Sequence, residues 1–305
     1  PLRLVGSEMC IRDRIGINPL TWTNDDMPEL GAETPLETCL NEAKQAGYDG
    51  MELGNKFPRD PDVLKPILAK HGLGLASGWY SARLLERSAK DEIAAVQGHL
   101  KLLKALKAPA MVFAEVTGCV HGDRNRPVTQ RPKLTEDQWK TLTLRMTEVG
   151  KYLAGEGCPI AYHHHMGTVI ETEAEIDRLV DETAKEVGLL LDTGHLTYAG
   201  GDAIAVAKRH AARINHVHCK DIRPAVLKQS KSSDSSFLDS VLAGVFTVPG
   251  DGSIDYPAVL AALKPANYSG WFVVEAEQDP AKAHPLTYAK KGHDYLRPLT
   301  KALGF

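Results

Sequence analysis

A closed (β/α)8 barrel, the TIM-barrel form of the α/β class, is the fold this sequence predicts, on three observations. Eight apolar runs rich in β-formers recur at residues 15–22, 50–54, 73–80, 110–116, 160–165, 187–192, 214–220 and 271–277. Segments of helical period separate them: Leu36, Leu40, Ala43 and Ala46 share one face, as do Ile93, Val96, Leu100, Leu103 and Leu106. Strands alternating with helices form parallel βα units, and eight such units close naturally into a barrel. The third observation removes the rival, an open doubly wound sheet. That fold usually places a glycine-rich turn after its first strand, and here the turn is Asn18-Pro19-Leu20-Thr21-Trp22-Thr23.

The elements come in order along the chain. After the first run, Thr34-Pro35-Leu36-Glu37 supplies a cap, a proline at the first turn and an acid, opening a helix to Ala46 that Gly47 stops. Gly72 ends the helix after the second run. The long segment before the fifth run opens at Thr135-Glu136-Asp137 and stops at Gly155 or Gly157. After the seventh run the alternation lapses. Residues 223–255 read as an insertion: a polar tract at 228–236 that is expected to be mobile, an apolar helix at 237–245, and the turn-rich 248–255. Long excursions in a barrel are usually lids or site walls. Residues 1–14 sit badly against the regular alternation that begins at Ile15 and are expected to be a non-native extension, with the single barrel domain spanning 15–305.

Composition narrows the function. The 305 residues are 43% apolar and 25% charged with net charge −3, which excludes disorder as the main state and argues against a nucleic-acid coat. No run is long enough to span a membrane, so neither nucleic acid nor membrane is an expected partner. Five cysteines without CxxC spacing argue against a thiolate zinc knuckle or a disulfide scaffold, and point to a reducing, cytoplasmic compartment.

Chemistry gathers at the ends of the last four runs. They close on His163-His164-His165, Asp192-Thr193-Gly194-His195, His216-Val217-His218-Cys219-Lys220-Asp221 and Glu275-Ala276-Glu277. Neighbouring strands lie about 4.8 Å apart, so these ends form one arc at the barrel's catalytic rim. Alternation places His163 with His165, His216 with His218, and Glu275 with Glu277. Each residue alone has an ordinary reading as a hydrogen-bonded or solvated strand end. Together, on four adjacent strands, they predict a divalent metal site of mixed nitrogen and oxygen donors.

The motifs LLLDTGH, INHVHCKD, VPGDGSID and WFVVEAEQDPAKA, with IAYHHHMGT and IGINPLTWTNDD, resemble the xylose-isomerase-like barrels of the sugar phosphate isomerase/epimerase superfamily. Within it they are most similar to the dehydratases of myo-inositol catabolism. The resemblance implies one divalent metal, manganese or cobalt, held by Asp192, His218 and Glu275. The fourth position, glutamate in the superfamily, is His163 here. It also implies a small polyol-ketone substrate that loses water, a glutathione requirement that no residue here demands, and a substrate contact from His195. Loss of the strand-five carboxylate weakens the two-base chemistry of an epimerase. It leaves what a dehydratase needs: a base for the proton next to a ketone, and an acid for the departing hydroxide. Glu275 is the expected base, with Glu52, His195 and Lys220 as further catalytic candidates and Trp79, His165 and Asp221 as substrate contacts. Glu52 has an equal reading as a helix cap, and His121 reads as a surface histidine. The alternatives are a sugar or inosose isomerase or epimerase and, more distantly, a metal-dependent barrel acting on nucleic acid. A homo-oligomer is left open.

Overall fold

The computed structural model describes residues 14–305. The expected extension therefore lies outside the described residues, except Arg14, which opens the first strand. The strands are β1 (Arg14–Ile17), β2 (Gly50–Met51), β3 (Gly74–Leu75), β4 (Trp79–Ala82), β5 (Met111–Glu115), β6 (Ile160–His163), β7 (Val187–Asp192), β8 (Ile214–Cys219), β9 (Asp221–Ile222), β10 (Phe246–Thr247) and β11 (Trp271–Val274). The helices are α1 (Leu36–Ala46), α2 (Pro61–His71), α3 (Ala89–Ala95), α4 (Gln97–Ala105), α5 (Glu136–Gly155), α6 (Glu173–Glu182), α7 (Thr193–Ala199), α8 (Ala203–His210), α9 (Pro224–Ser232), α10 (Phe237–Leu242), α11 (Tyr256–Leu263) and α12 (Pro285–Leu303).

The main sheet runs β3-β2-β1-β11-β8-β7-β6-β5-β4 with every neighbour parallel. Its two ends, β3 and β4, come from the single third run, which breaks at Ala76-Ser77-Gly78. Ser77 closes the gap. Its carbonyl accepts from Leu53 N at 3.0 Å on one side, while its hydroxyl donates to Ala110 O at 2.9 Å and accepts from Val112 N at 3.0 Å on the other. The barrel thus closes through a serine side chain where regular pairing lapses. The first run is shorter than its apolar length, ending at Ile17, because Pro19 brings no N–H to extend a ladder.

Strand parity sorts the side chains. Phe272, Val274, Leu189, Leu191, Val217 and Cys219 face the helices and belong to the main core. The alternate residues face the barrel axis: Trp271 and Val273 pack with Ala76, and Val112, Ala161 and Leu190 pack against Trp79. Continuing that inward parity past the apolar layer gives Glu275 and Glu277, His163 and His165, Asp192, His216, His218 and Lys220. The same alternation that fills the barrel floor points the polar residues into its mouth.

The insertion folds as β9, α9, α10 and β10, with β9 and β10 antiparallel. The tract at 228–236, expected to be mobile, is helical through Ser232. It is tied down where Val128 N donates to Ser235 O and Pro127 bridges Ser236. Its polarity reflects the solvent side of α9. Phe237, Leu238, Val241, Val245 and Phe246 form a second core with Met27, Val128, Met166 and Tyr198 over the barrel's rim. Among the described residues no helix is long and apolar enough to cross a membrane.

Candidate metal centre and active site

A cavity of about 280 Å³ opens at the C-terminal ends of the strands, lined by Asn18, Glu52, Trp79, His163, His165, His218, Glu275 and Glu277 among others. The donor groups of His163, Asp192 and His218 lie within 4.8 Å of one another, and all three residues are buried. His163 Nε2 is 3.3 Å from Asp192 Oδ2, and His218 Nδ1 is 3.5 Å from the same oxygen and 2.7 Å from Glu275 Oε2. Donors bonded to one divalent ion at about 2.0–2.2 Å stand roughly 3–3.6 Å apart, so the spacing fits a metal. A second observation agrees. His218 Nδ1, although close to Glu275, has no hydrogen-bond partner. Of the crowded atoms, His163 Nε2 is hydrogen-bonded to Asp192 Oδ2, and His218 Nδ1 is the one left without a partner. His163, Asp192 and His218 therefore form a group that could hold a divalent cation, with Glu275 beside it at 2.7 Å from His218 Nδ1.

Around them lies a ring of charge. The Lys220 ammonium, fully buried, reaches Glu275 Oε1 at 2.7 Å, His195 Nε2 at 2.8 Å and Glu277 Oε1 at 3.1 Å. Gly194 makes room for it, since a Cβ there would sit 2.5 Å from Lys220 Cγ. Burial pushes the Glu275 carboxyl up, but the His218 and Lys220 charges more than offset it and hold it at about 2. For Glu277 burial wins over Lys220, with Glu275 adding to it, and the group rises to about 8. Burial lowers His163, His165 and His195 below the usual histidine range.

Glu52 does not cap a helix. It points into the cavity, 2% exposed, and accepts from His216, His218 and Asn18. Of the three consecutive histidines, His163 and His165 line the cavity, while His164 Nε2 accepts from Asp192 N at 3.2 Å. Trp79 stands edge-on to His163 and His165, with ring centroids 5.3 and 5.6 Å away. Phe237 and Phe246 of the insertion pack against His195, and Phe237 against His165, so the insertion walls the site.

Asp221 is a correction. Instead of meeting a substrate, its carboxylate accepts from the backbone N–H groups of Ile222, Gly250, Gly252, Ser253 and Ile254. It anchors the turn after β10. His121 is a second correction: it is half-buried on the cavity wall, 5.0 Å from the His165 ring. Asn18, Glu277 and His216 were not singled out as functional by sequence. Strand parity was the available signal for Glu277 and His216. For Asn18 the same parity holds, since Ile15 and Ile17 face the helices and Gly16 meets the inward Trp271 and Val273.

A parallel barrel with a buried imidazole–carboxylate cluster at its C-terminal mouth defines a TIM-barrel protein built to act on a small polar molecule. More narrowly, the chain belongs to the xylose isomerase-like TIM barrel family, whose profile matches residues 40–299. It is 50% identical over 292 residues to the rhizopine catabolism protein MocC of Rhizobium meliloti, covering 96% of this chain and 90% of that one. It is 46% identical over 286 residues to an inosose dehydratase of Geobacillus thermodenitrificans, covering 93% and 96%. Among solved structures it is similar to the IolI protein with a bound zinc atom, at a TM-score of 0.67 and 19% identity, covering 95% and 98%.

Proposed function

We propose that this protein is a metal-dependent hydro-lyase that removes water from inosose, 2-keto-myo-inositol. One observation carries the reading: 46% identity to an inosose dehydratase across nearly the full length of both chains. The MocC name gives a catabolic process and no reaction, so it does not compete. His163, Asp192, His218 and Glu275 hold the divalent ion, manganese or cobalt in this proposal, and such mixed donors suit either. When bound, the ion supplies a Lewis acid that acidifies the proton next to the ketone.

Glu275 takes that proton. The C–H electron pair forms the new carbon–carbon double bond as the β-carbon–oxygen bond breaks. Lys220, joined to His195, gives a proton to the departing hydroxide, and the enol product relaxes to the dione. Trp79 and His165 form a wall against the polyol ring. An epimerase returns a proton to the carbon it was taken from and needs a second base across the substrate; His163 stands where the superfamily resemblance places that carboxylate. Incubating metal-loaded protein with 2-keto-myo-inositol decides the matter. Growth of a dicarbonyl ultraviolet absorbance is expected, whereas an isomer that keeps its single ketone overturns the reading.

A further inference from the structure

Glu52 sits between two imidazoles and one amide, and each contact has a fixed direction. A carboxylate accepts only, so the ring nitrogens facing it carry hydrogen. His216 Nε2 is 2.8 Å from Glu52 Oε1, and His218 Nε2 is 3.1 and 3.3 Å from the two oxygens. That leaves His218 Nδ1 as the nitrogen on the side of Asp192 and Glu275. Asn18 is equally determined. Its Oδ1 accepts from Leu20 N at 3.0 Å, which assigns the amide. Its Nδ2 donates to Glu52 Oε2 at 2.8 Å and to Glu275 Oε2 at 3.1 Å. Glu52, His216 and His218 are buried, and Asn18 is half-buried on the cavity wall.

We propose that Asn18 and His216 are positioning residues that clamp Glu52 against His218 Nε2, so that Glu52 orients a metal-binding histidine and is not the base. The inference rests on the metal-centre reading above. A carboxylate that takes a ligating imidazole's second N–H fixes the ring's rotation and raises its basicity. Here the clamp does more. The Asn18 amide ties the orienting carboxylate, Glu52, to Glu275 on the opposite side of His218. One side chain at the end of β1 sets the separation of two carboxylates from β2 and β11. Without it, two buried carboxylates lose their shared donor and repel. His216 holds the other Glu52 oxygen, which fixes the carboxylate plane.

The test is the affinity of the full-length apo-protein for cobalt alone, by chelator competition, with the visible spectrum of the bound ion as a second readout. Asn18→Asp keeps the shape and replaces the donor by an acceptor. His216→Gln keeps a side-chain N–H donor, and His216→Ala removes it. Loss of an outer carboxylate–histidine partner costs about 10–100-fold in metal affinity. That loss is expected for Asn18→Asp and His216→Ala, with an altered cobalt spectrum and recovery in His216→Gln. Circular dichroism and thermal unfolding identify which variants fold, and Glu52→Gln, which keeps one acceptor oxygen, serves if the others do not. Folded variants that bind cobalt with unchanged affinity and spectrum overturn the proposal and return Glu52 to the list of bases. An unaltered protein that binds no cobalt or manganese overturns the metal-centre reading itself, and this one with it.

Discussion

Lys220 and Asp221 are consecutive, both buried and both charged in type, yet they do opposite work. Lys220 follows the inward parity of β8 and enters the mouth, where its neighbours are the side chains of Glu275, Glu277 and His195. Asp221 turns outward and spends its carboxylate on its neighbour Ile222 N–H and four backbone N–H groups of the turn after β10. The comparison extends to the regions they belong to. At the mouth, charges are matched by other ionisable side chains that a ligand can rearrange. At the root of the insertion, the Asp221 charge is matched by backbone, which no ligand replaces. Acidic residues at the mouth are therefore expected to govern function, and those at the root stability.

The largest effect expected is at Asp192. Asp192→Ala, or chelation of the unaltered protein, should lower dehydration by roughly 10³-fold or more, since one of the converging donors or the ion itself is gone. Added manganese or cobalt should restore the chelated protein and not the variant. The cost in stability should stay near 1 kcal/mol, the value of the cap Asp192 Oδ1 makes to His195 N. Next comes Glu275→Gln. It keeps an oxygen donor and loses the base, so turnover should fall by roughly 10²–10⁴-fold with metal retained. A metal-replete Glu275→Gln protein at near-normal rate would move the base elsewhere, and recovery with excess metal would make Glu275 a ligand only.

The same distinction explains what could be read from the sequence. Parity is a property of the strand itself, so the inward set from His163 to Glu277 was legible as soon as the strands were. What lies off the strands was not. Asp221 looked like a mouth residue because it comes directly after Lys220. Only the return of Gly250-Asp251-Gly252, some thirty residues on, gives its carboxylate other work. Asn18 shares the inward parity of β1, but it acts through both ends of an amide at once, and that depends on three elements meeting. The tract at 228–236 looked mobile because composition reports the solvent face of a short helix and not the contact beneath it. Ser77 closes the barrel at a break that no apolar pattern marks, since the run on either side is continuous.

At the root, Asp221→Ala is expected to cost about 2–3 kcal/mol in urea unfolding, because several partly buried N–H groups lose their acceptor. Activity per folded molecule should change little. A variant of normal stability and impaired turnover would reverse the assignment and restore Asp221 to the substrate.

The smallest effect expected is at Asp251, where the sign of a pH dependence separates it from Asp221. Asp251 Oδ2 receives Arg223 at 2.8 Å and the Thr247 hydroxyl at 2.6 Å, and Lys291 pairs with its other oxygen. Burial alone would raise this carboxyl, but Lys291, Thr247 and Arg223 prevail and lower it. A carboxyl lowered in the folded state adds stability above its unfolded value, about 3.9, and loses it as pH falls through the folded value. Asp221 shifts the other way, raised by burial in spite of its backbone partners, so its protonation favours the folded state as pH falls. The two tend to offset each other in acid, and the unaltered protein alone does not separate them. Asp251→Asn removes one and leaves the other. Because Lys291 is half exposed and screened by solvent, the expected loss at pH 7 is only about 0.5–1 kcal/mol. Urea midpoints of both proteins should differ by that amount at pH 7 and converge toward pH 3. A gap that persists unchanged in acid would mean that Asp251 stabilises through its hydrogen bonds and not its charge.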